Sequence, residues 1–245
     1  MTSPGPRPAE PVRLAVWSGP RNISTALMRS WENRDDTVVV DEPLYAHYLQ
    51  ATGLDHPGRD EVIAAGDTDW RRVVATLVGP VPAGARVFYQ KHMAHHLLPG
   101  LDRAWVSRLT NVLLIRDPRE VVASYVRSRA AVTVQDTGLP QQVELHRELG
   151  PPVLDAADVL RRPEPYLRAL CDHAGVDFTP RMLAWPPGPR DSDGVWGRHW
   201  YEAVWRSTGF APYRPRESRL SGTAAVVADE CLPLYRRLHD ARWVV

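Results

Sequence analysis

The chain has 245 residues, 44% of them hydrophobic, and its 30 basic and 29 acidic side chains leave a formal net charge of +1. That balance excludes nucleic-acid or membrane-surface binding driven by overall charge, while leaving room for a local basic pocket. The two cysteines, Cys171 and Cys231, form neither a CxxC pair nor a disulfide framework and fit a reduced, cytoplasmic setting, and no apolar run approaches the ~20 residues of a membrane span.

Residues 1–12 begin MTSPGPRPAEP, without the apolar stretch of a signal peptide, and read as a loose tail before one domain over 13–245. Short apolar runs predict strands at Arg13–Trp17, Thr37–Pro43, Ala85–Lys91, Thr110–Pro118 and Pro151–Ala156. Helical spacing predicts helices from Ser24, over 68–78 and from Pro118, whose fixed φ suits a first helical position. Further helices are expected near 163–174, 180–185, 197–207 and 223–241, the last kinked or broken at Pro233. Strands alternating with helices, several of the strands continuously apolar, indicate an α/β fold. Its central, mostly parallel sheet of about five strands is covered on both faces. Ligands of such sheets bind at the carboxyl ends of the strands, so the residues following Trp17, Gln90 and Ile115 are expected to converge.

The first of these positions opens "SGPRNIST", Ser18–Thr25. A helix N terminus offers free N–H groups and partial positive charge to an anion. Gly19 permits close backbone approach, Arg21 supplies a forked cation, and Ser24 and Thr25 add hydroxyls. The second glycine and the lysine of a Walker A loop are missing, which disfavours ATP or GTP chemistry. The alternative is an ordinary helix cap with Arg21 at the surface. Further on, Arg116 closes a buried strand and Ser124 follows eight positions later, about two turns into the next helix. Strand end and helix face can flank one ligand, or Arg116 simply pairs with Asp117 or Glu120.

Together these motifs resemble the sulfotransferases that use 3′-phosphoadenosine 5′-phosphosulfate (PAPS). The family's 5′-phosphosulfate loop, Pro-Lys/Arg-Ser-Gly-Thr-Thr/Ser, is similar to Pro20, Arg21, Ser24 and Thr25, with Asn22 and Ile23 in place of Ser-Gly. Its 3′-phosphate motif resembles Arg116, Asp117, Pro118, Glu120 and Ser124. The likeness extends through "DEPLYAHYL" and "VLRRPEPYLRALCDHAGVDFTPRMLAW". The chain is also similar to a sulfotransferase-like group with "SGPRNISTALM", which includes a domain found beside aminotransferase-like domains in plants. The resemblance implies a P-loop-kinase-like topology. It also implies transfer of a sulfuryl group from PAPS to a hydroxyl or amine of a small-molecule acceptor, with release of 3′,5′-adenosine bisphosphate (PAP) and no metal. Gly19, Pro20, Arg21, Asn22, Ser24, Thr25, Arg116 and Ser124 would hold the nucleotide.

Sulfuryl transfer needs a base for the acceptor proton and a cation for the leaving phosphate. "FYQKHMAHHLLP" offers His92, His95 and His96 beside Lys91. Aligning Leu97-Leu98-Pro99 with the family's segment makes His92 the expected base, with His95 second and Lys91 stabilising charge. Glu42, after the second strand, is a further candidate because some bacterial relatives use a carboxylate. Histidines at this spacing also suit zinc on a helix, but no HExxH or nearby cysteine supports a metal. Near the C terminus, Gly194, Trp196, Gly197 and Arg198 resemble the family's pocket-closing loop, with Trp196 and Arg198 reaching the nucleotide. Apolar and aromatic residues in 45–80 and 128–150 are expected to line the acceptor pocket. Monomer and homodimer both remain open, with no nucleic-acid or membrane partner expected. The alternatives are an ATP-dependent phosphotransferase and a non-catalytic nucleotide-binding module.

Overall fold

The structure is a computed structural model, and it describes residues 10–127, 131–215 and 219–245, without the side chain of Ala83. Five strands form one sheet: β1 (Val12–Ser18), β2 (Thr37–Asp41), β3 (Val87–Met93), β4 (Thr110–Ile115) and β5 (Val153–Asp155). Their order is β2-β3-β1-β4-β5 and every pairing is parallel. The predicted α/β architecture is thus present, and all five predicted strands form. β1 lies at the centre, so the crevice of this topology opens at its carboxyl end.

Helices cover both faces. On one face α1 (Ser24–Glu32), α7 (Ala156–Arg161) and α8 (Pro163–Ala174) pack Leu27, Met28, Trp31, Val159, Leu167 and Leu170 on Leu14, Val16, Val112 and Leu114. On the other, α4 (Trp70–Val78), α5 (Pro118–Tyr125), α6 (Leu139–Leu149) and α11 (Gly222–Asp240) pack Val73, Val122, Leu145 and Cys231 on Ala15, Trp17, Phe88 and Leu113. Adjacent residues of β1 serve opposite cores, which is why these strands read as unbroken apolar runs rather than alternating ones. A third cluster lies beyond the sheet's carboxyl edge. There α2 (Tyr45–Thr52) and α3 (Arg59–Ala65) meet two short turns, α9 (Gly197–Trp200) and α10 (Glu202–Trp205), through Tyr45, Tyr48, Leu49, Val62, Trp196 and Tyr201.

Several expectations need correction. β3 runs to Met93 rather than stopping at Lys91, so Lys91 and His92 sit inside a strand and face opposite ways. The helix expected over 197–207 is divided into α9 and α10, and that near 180–185 is a 3₁₀ turn, Pro180–Leu183. α11 continues through Pro233 without a break. Proline forfeits one ladder bond there, but Val227, Ala228, Cys231 and Leu238 are buried on either side and keep the helix seated. β1 begins one residue earlier than predicted, and residues 1–9 of the expected tail lie outside the described residues. Among the described residues no helix is long and apolar enough to cross a membrane.

Candidate active site

The turn from β1 into α1 is held from three sides. Asn22 donates from Nδ2 to the Leu114 carbonyl at the end of β4 (3.0 Å), and its Oδ1 accepts the Ile23 N–H (2.8 Å). Gln142 of α6 donates to the carbonyls of Trp17 (2.9 Å) and Leu114 (3.1 Å). From above, the segment ahead of α6 presses on Gly19: a Cβ there would lie 2.0 Å from the Thr137 carbonyl oxygen. Gly19 therefore serves this close chain crossing. Arg21 takes a left-handed φ of 56°. No side chain caps α1, and Ser24 and Thr25 begin its first turn, buried.

Arg116 joins this turn to the second motif. Its Nη1 donates to the Arg21 carbonyl (2.9 Å), while Nε and Nη2 hold Glu120 (2.9 and 2.7 Å). Arg21 Nε in turn donates to Ser124 Oγ (3.0 Å). Two motifs 95 positions apart thus become one basic corner. Burial, then the nearby Arg127 and Arg116 cations, lower the Arg21 pKa, and Arg21 has no carboxylate partner among the described residues. A guanidinium crowded by like charges and lacking a counterion is suited to an anionic ligand.

On the other side of β1, Lys91 points from β3 into a buried polar knot. Its Nζ donates to Asp41 Oδ1 (2.7 Å), Glu42 Oε1 (2.6 Å) and Tyr201 Oη (2.8 Å). Tyr201 Oη donates to Asp41 Oδ2 (2.6 Å) and accepts from Trp196 Nε1 (3.1 Å). Burial works against the Lys91 charge, but Asp41, Glu42 and Tyr201 outweigh it and hold its pKa well above the ordinary range. Burial raises the Glu42 pKa, which Lys91 opposes and Asp41 reinforces. Glu42 has a left-handed φ of 41°; with Arg21 it makes up the non-glycine residues in that region among the described residues. Such backbone strain persists only where surrounding structure enforces it, and it concentrates at functional sites.

A family model described as "Sulfotransferase domain" matches residues 12–240. The chain belongs to the sulfotransferase family. Its curated relatives include the branched-chain-amino-acid aminotransferase-like proteins 1 and 2 of Arabidopsis thaliana. They are 38% identical over 240 residues and 34% over 230, covering 95% and 92% of this chain. The chain spans about two fifths of their lengths, 42% and 41%. Among solved structures, the sulfotransferase domain from the curacin biosynthetic pathway superposes with a TM-score of 0.54 at 15% identity, covering 91% of this chain and 98% of that one. The sulfotransferase domain of the Synechococcus PCC 7002 olefin synthase gives 0.55 at 18%, covering 94% and 98%. A sulfotransferase from Alicyclobacillus acidocaldarius gives 0.56 at 14%, covering 96% and 98%. These likenesses show the shared fold.

Within this sulfotransferase domain the sequence-predicted residues divide. Gly19, Pro20, Arg21, Asn22, Ser24, Thr25, Arg116 and Ser124 gather at the carboxyl ends of β1 and β4, and Lys91 and Glu42 meet at those of β3 and β2. His92 does not join them. It is 1% exposed, stacks on Trp17 (centroids 4.0 Å apart) and touches Gln90 Oε1 through Nε2 (3.2 Å). Burial, with Lys91 adding to it, pushes its pKa down to about 3. His95 packs edge-on to Tyr48, and burial lowers its pKa to about 4 despite Asp136. His96 lies between the rings of Tyr45 and Tyr48 (4.9 and 4.6 Å). Among the described residues no group of three or more His, Cys, Asp or Glu is placed to hold a metal.

Trp196 lies in the Tyr201 cluster and Arg198, 54% exposed on its side chain, pairs with Glu61 of α3. Both stand on the β2–β3 side, away from Arg116. Instead Tyr213 approaches the basic corner, donating to Glu120 Oε1 (2.8 Å). Asp41, Arg127, Tyr201 and Tyr213 went unread in the sequence. Asp41 is hidden as the closing residue of an apolar strand, and Tyr201 and Tyr213 reach their partners through tertiary packing.

Proposed function

We propose that this chain transfers a sulfuryl group from PAPS to a hydroxyl or amine of a small-molecule acceptor. The observation that supports the reading is the Arg116–Arg21–Ser124 linkage, which brings the two motifs into one basic corner. The N–H groups at the start of α1, of which Asn22 Oδ1 takes that of Ile23, and the Arg21 guanidinium suit the 5′-phosphosulfate. Arg116, Ser124 and the exposed Arg127 suit the 3′-phosphate, where a forked cation and a hydroxyl match its oxygens.

For the base we favour Glu42 over His92. Lys91 holds Glu42 Oε1, and Oε2 has no hydrogen-bond partner among the described residues, with the side chain 11% exposed. Glu42 Oε2 takes the proton as the acceptor oxygen or nitrogen bonds to sulfur. The bond from sulfur to the bridging phosphate oxygen breaks, and that oxygen leaves on PAP with its charge facing Arg21 and the α1 terminus. The buried Tyr45, Tyr48 and Trp196 supply an apolar wall for the acceptor beside Glu42.

Calorimetry with PAP beside ATP–Mg²⁺ tests the donor: PAP binds with at least tenfold preference on this reading. Equal binding of both, or Arg116→Ala leaving PAP affinity unchanged, overturns the assignment. A chain that binds PAP tightly yet transfers nothing to a broad panel of phenols, alcohols and amines is a binding module instead. The self-capped Asn22–Ile23 turn is the feature that favours that second reading, because it removes one N–H from the cradle.

A further inference from the structure

Tyr201 belongs to a structure that the Lys91 knot alone does not explain. The segment carrying it is tied to α1, the helix whose N terminus receives the proposed phosphosulfate. Arg29 of α1, 1% exposed, pairs with Asp193 (Nη2 to Oδ1, 2.5 Å) and with Glu32. Asp193 Oδ2 accepts from Trp205 Nε1 (2.8 Å) and from the Arg190 N–H (2.9 Å). Trp205 N donates to the Tyr201 carbonyl (2.8 Å), and Tyr201 N to that of Gly197 (2.7 Å). At Gly197 a Cβ would come within 3.2 Å of Trp205 and 3.3 Å of Tyr201, so the two rings close over bare backbone. A buried guanidinium, the carboxylate that it shares with a backbone N–H, and an indole form a clasp, and the clasp delivers one phenol to Asp41 at the end of β2 and to Glu42 just beyond it.

We propose that Tyr201 is a positioning residue for Glu42, delivered by the Arg29–Asp193–Trp205 clasp, and that it keeps Lys91 shared between Asp41 and Glu42. The inference rests on the reading of Glu42 as base. Asp41 is satisfied by two donors, Lys91 at one oxygen and Tyr201 at the other. Without the phenol, Asp41 has only Lys91 to neutralise it and draws the ammonium from Glu42. The groups facing Glu42 are Lys91 of β3, Asp41 of β2 and Tyr201 between α9 and α10. Loss of the Tyr201 hydroxyl therefore acts on Glu42 in one direction, toward the protonated form that cannot accept an acceptor's proton.

The test is a ¹³C NMR titration of the intact chain labelled at glutamate carboxyls, with Glu42→Gln assigning the Glu42 signal. Tyr201→Phe keeps the ring and removes the hydroxyl. Its Glu42 midpoint rises by about one pH unit, the scale of one lost hydrogen bond to a charged group. Trp205→Phe, which breaks the indole bond to Asp193 and keeps the Tyr201 hydroxyl in the chain, moves the midpoint the same way by a smaller step. PAP affinity, measured alongside, stays within about threefold of the parent and shows that α1 remains folded. An unmoved Glu42 midpoint in Tyr201→Phe overturns the inference, and so does a midpoint that moves only when PAP binding is lost as well. Failure of the base assignment has a different signature: Glu42→Gln then retains sulfuryl transfer, whatever the titration shows.

Discussion

The two sides of the sheet's carboxyl edge are built from different kinds of information. On the β1–β4 side, each contributing segment is contiguous: Gly19 to Thr25 in one turn, Arg116 to Ser124 in one strand-to-helix passage. On the β2–β3 side, Asp41, Glu42, Lys91 and Tyr201 come from three separate elements and meet only through buried hydrogen bonds. The first side depends on local backbone geometry, on helix termini and on which residue tolerates a left-handed φ. The second depends on register. Because β3 continues to Met93, Lys91 turns toward α1 and Tyr201, while His92 turns into the Trp17 and Trp105 core. The alternation of side chains along β3 decides which of two adjacent ionisable groups reaches the site.

The two sides separate most directly at Glu42. Glu42→Gln keeps the shape and the Lys91 contact but removes the proton acceptor. Transfer to whichever acceptor a phenol, alcohol and amine panel reveals is expected to fall about 10²–10⁴-fold in single-turnover assays, the usual contribution of a general base. PAP affinity should hold. The opposite pattern belongs to the other side. Arg116→Ala removes the Arg21 carbonyl bond and the forked cation together, and a loss of about 2–3 kcal/mol from charge-assisted bonds corresponds to roughly 30–150-fold weaker PAP binding by calorimetry. If each variant damaged both readouts equally, the two sides would be one cooperative unit and the division would fail.

Gly19→Ala gives a smaller effect that sharpens the boundary between the sides. Its methyl would meet the Thr137 carbonyl, which cannot swing aside as a side chain can. Overpacking of this kind costs about 1–3 kcal/mol. The expected result is a lower thermal midpoint with PAP binding weakened by up to about tenfold. If binding fell while the midpoint held, Gly19 would be serving the phosphate directly rather than the crossing of the chain above it.

The fold was legible because apolar runs and helix-start residues are local signals. Arg13–Trp17 and Thr110–Ile115 need nothing beyond their own sequence to read as buried strands, and Pro118 marks where α5 begins. α2, α3 and α7 were not read because, at eight, seven and six residues, they fall short of the window in which helical spacing shows, and α6 was missed at eleven. The basic corner was legible only through the resemblance of both segments to the family's phosphate motifs, since spacing alone left open the Arg116–Glu120 pair that the fold also contains. Glu42 was legible as a candidate, but the partners on which we propose it as the base were not. Its standing depends on Lys91 and Tyr201, which sequence spacing does not bring together. His92 was ranked above it because aligning Leu97-Leu98-Pro99 with the family's segment puts it at the place of the expected base, whereas the fold buries it and pushes its pKa down to about 3.

His92→Phe carries the smallest expected effect and the clearest decision between the two candidate bases. The phenyl ring keeps the stack on Trp17 and forfeits the contact with Gln90, whose Nε2 stays bonded to the Leu77 carbonyl (2.9 Å). Transfer near neutral pH is expected to change less than about threefold, whereas a loss like that of Glu42→Gln would return the catalytic role to His92. The variant should register instead in how stability depends on pH. The His92 pKa is about 3 in the fold against an ordinary 6.5. Between those values the unfolded chain binds a proton that the folded chain refuses. Stability from this group is therefore complete above pH 6.5 and declines as pH falls toward 3, by up to about 1.4 kcal/mol per unit. His95, at about 4, acts in the same sense and is untouched by the substitution. Urea unfolding at pH 7, 6 and 5 should then show a shallower decline for His92→Phe than for the parent, by about one proton's worth of slope. An unchanged slope would mean that the His92 imidazole already titrates in solvent, as a base at an open site must and a core residue cannot.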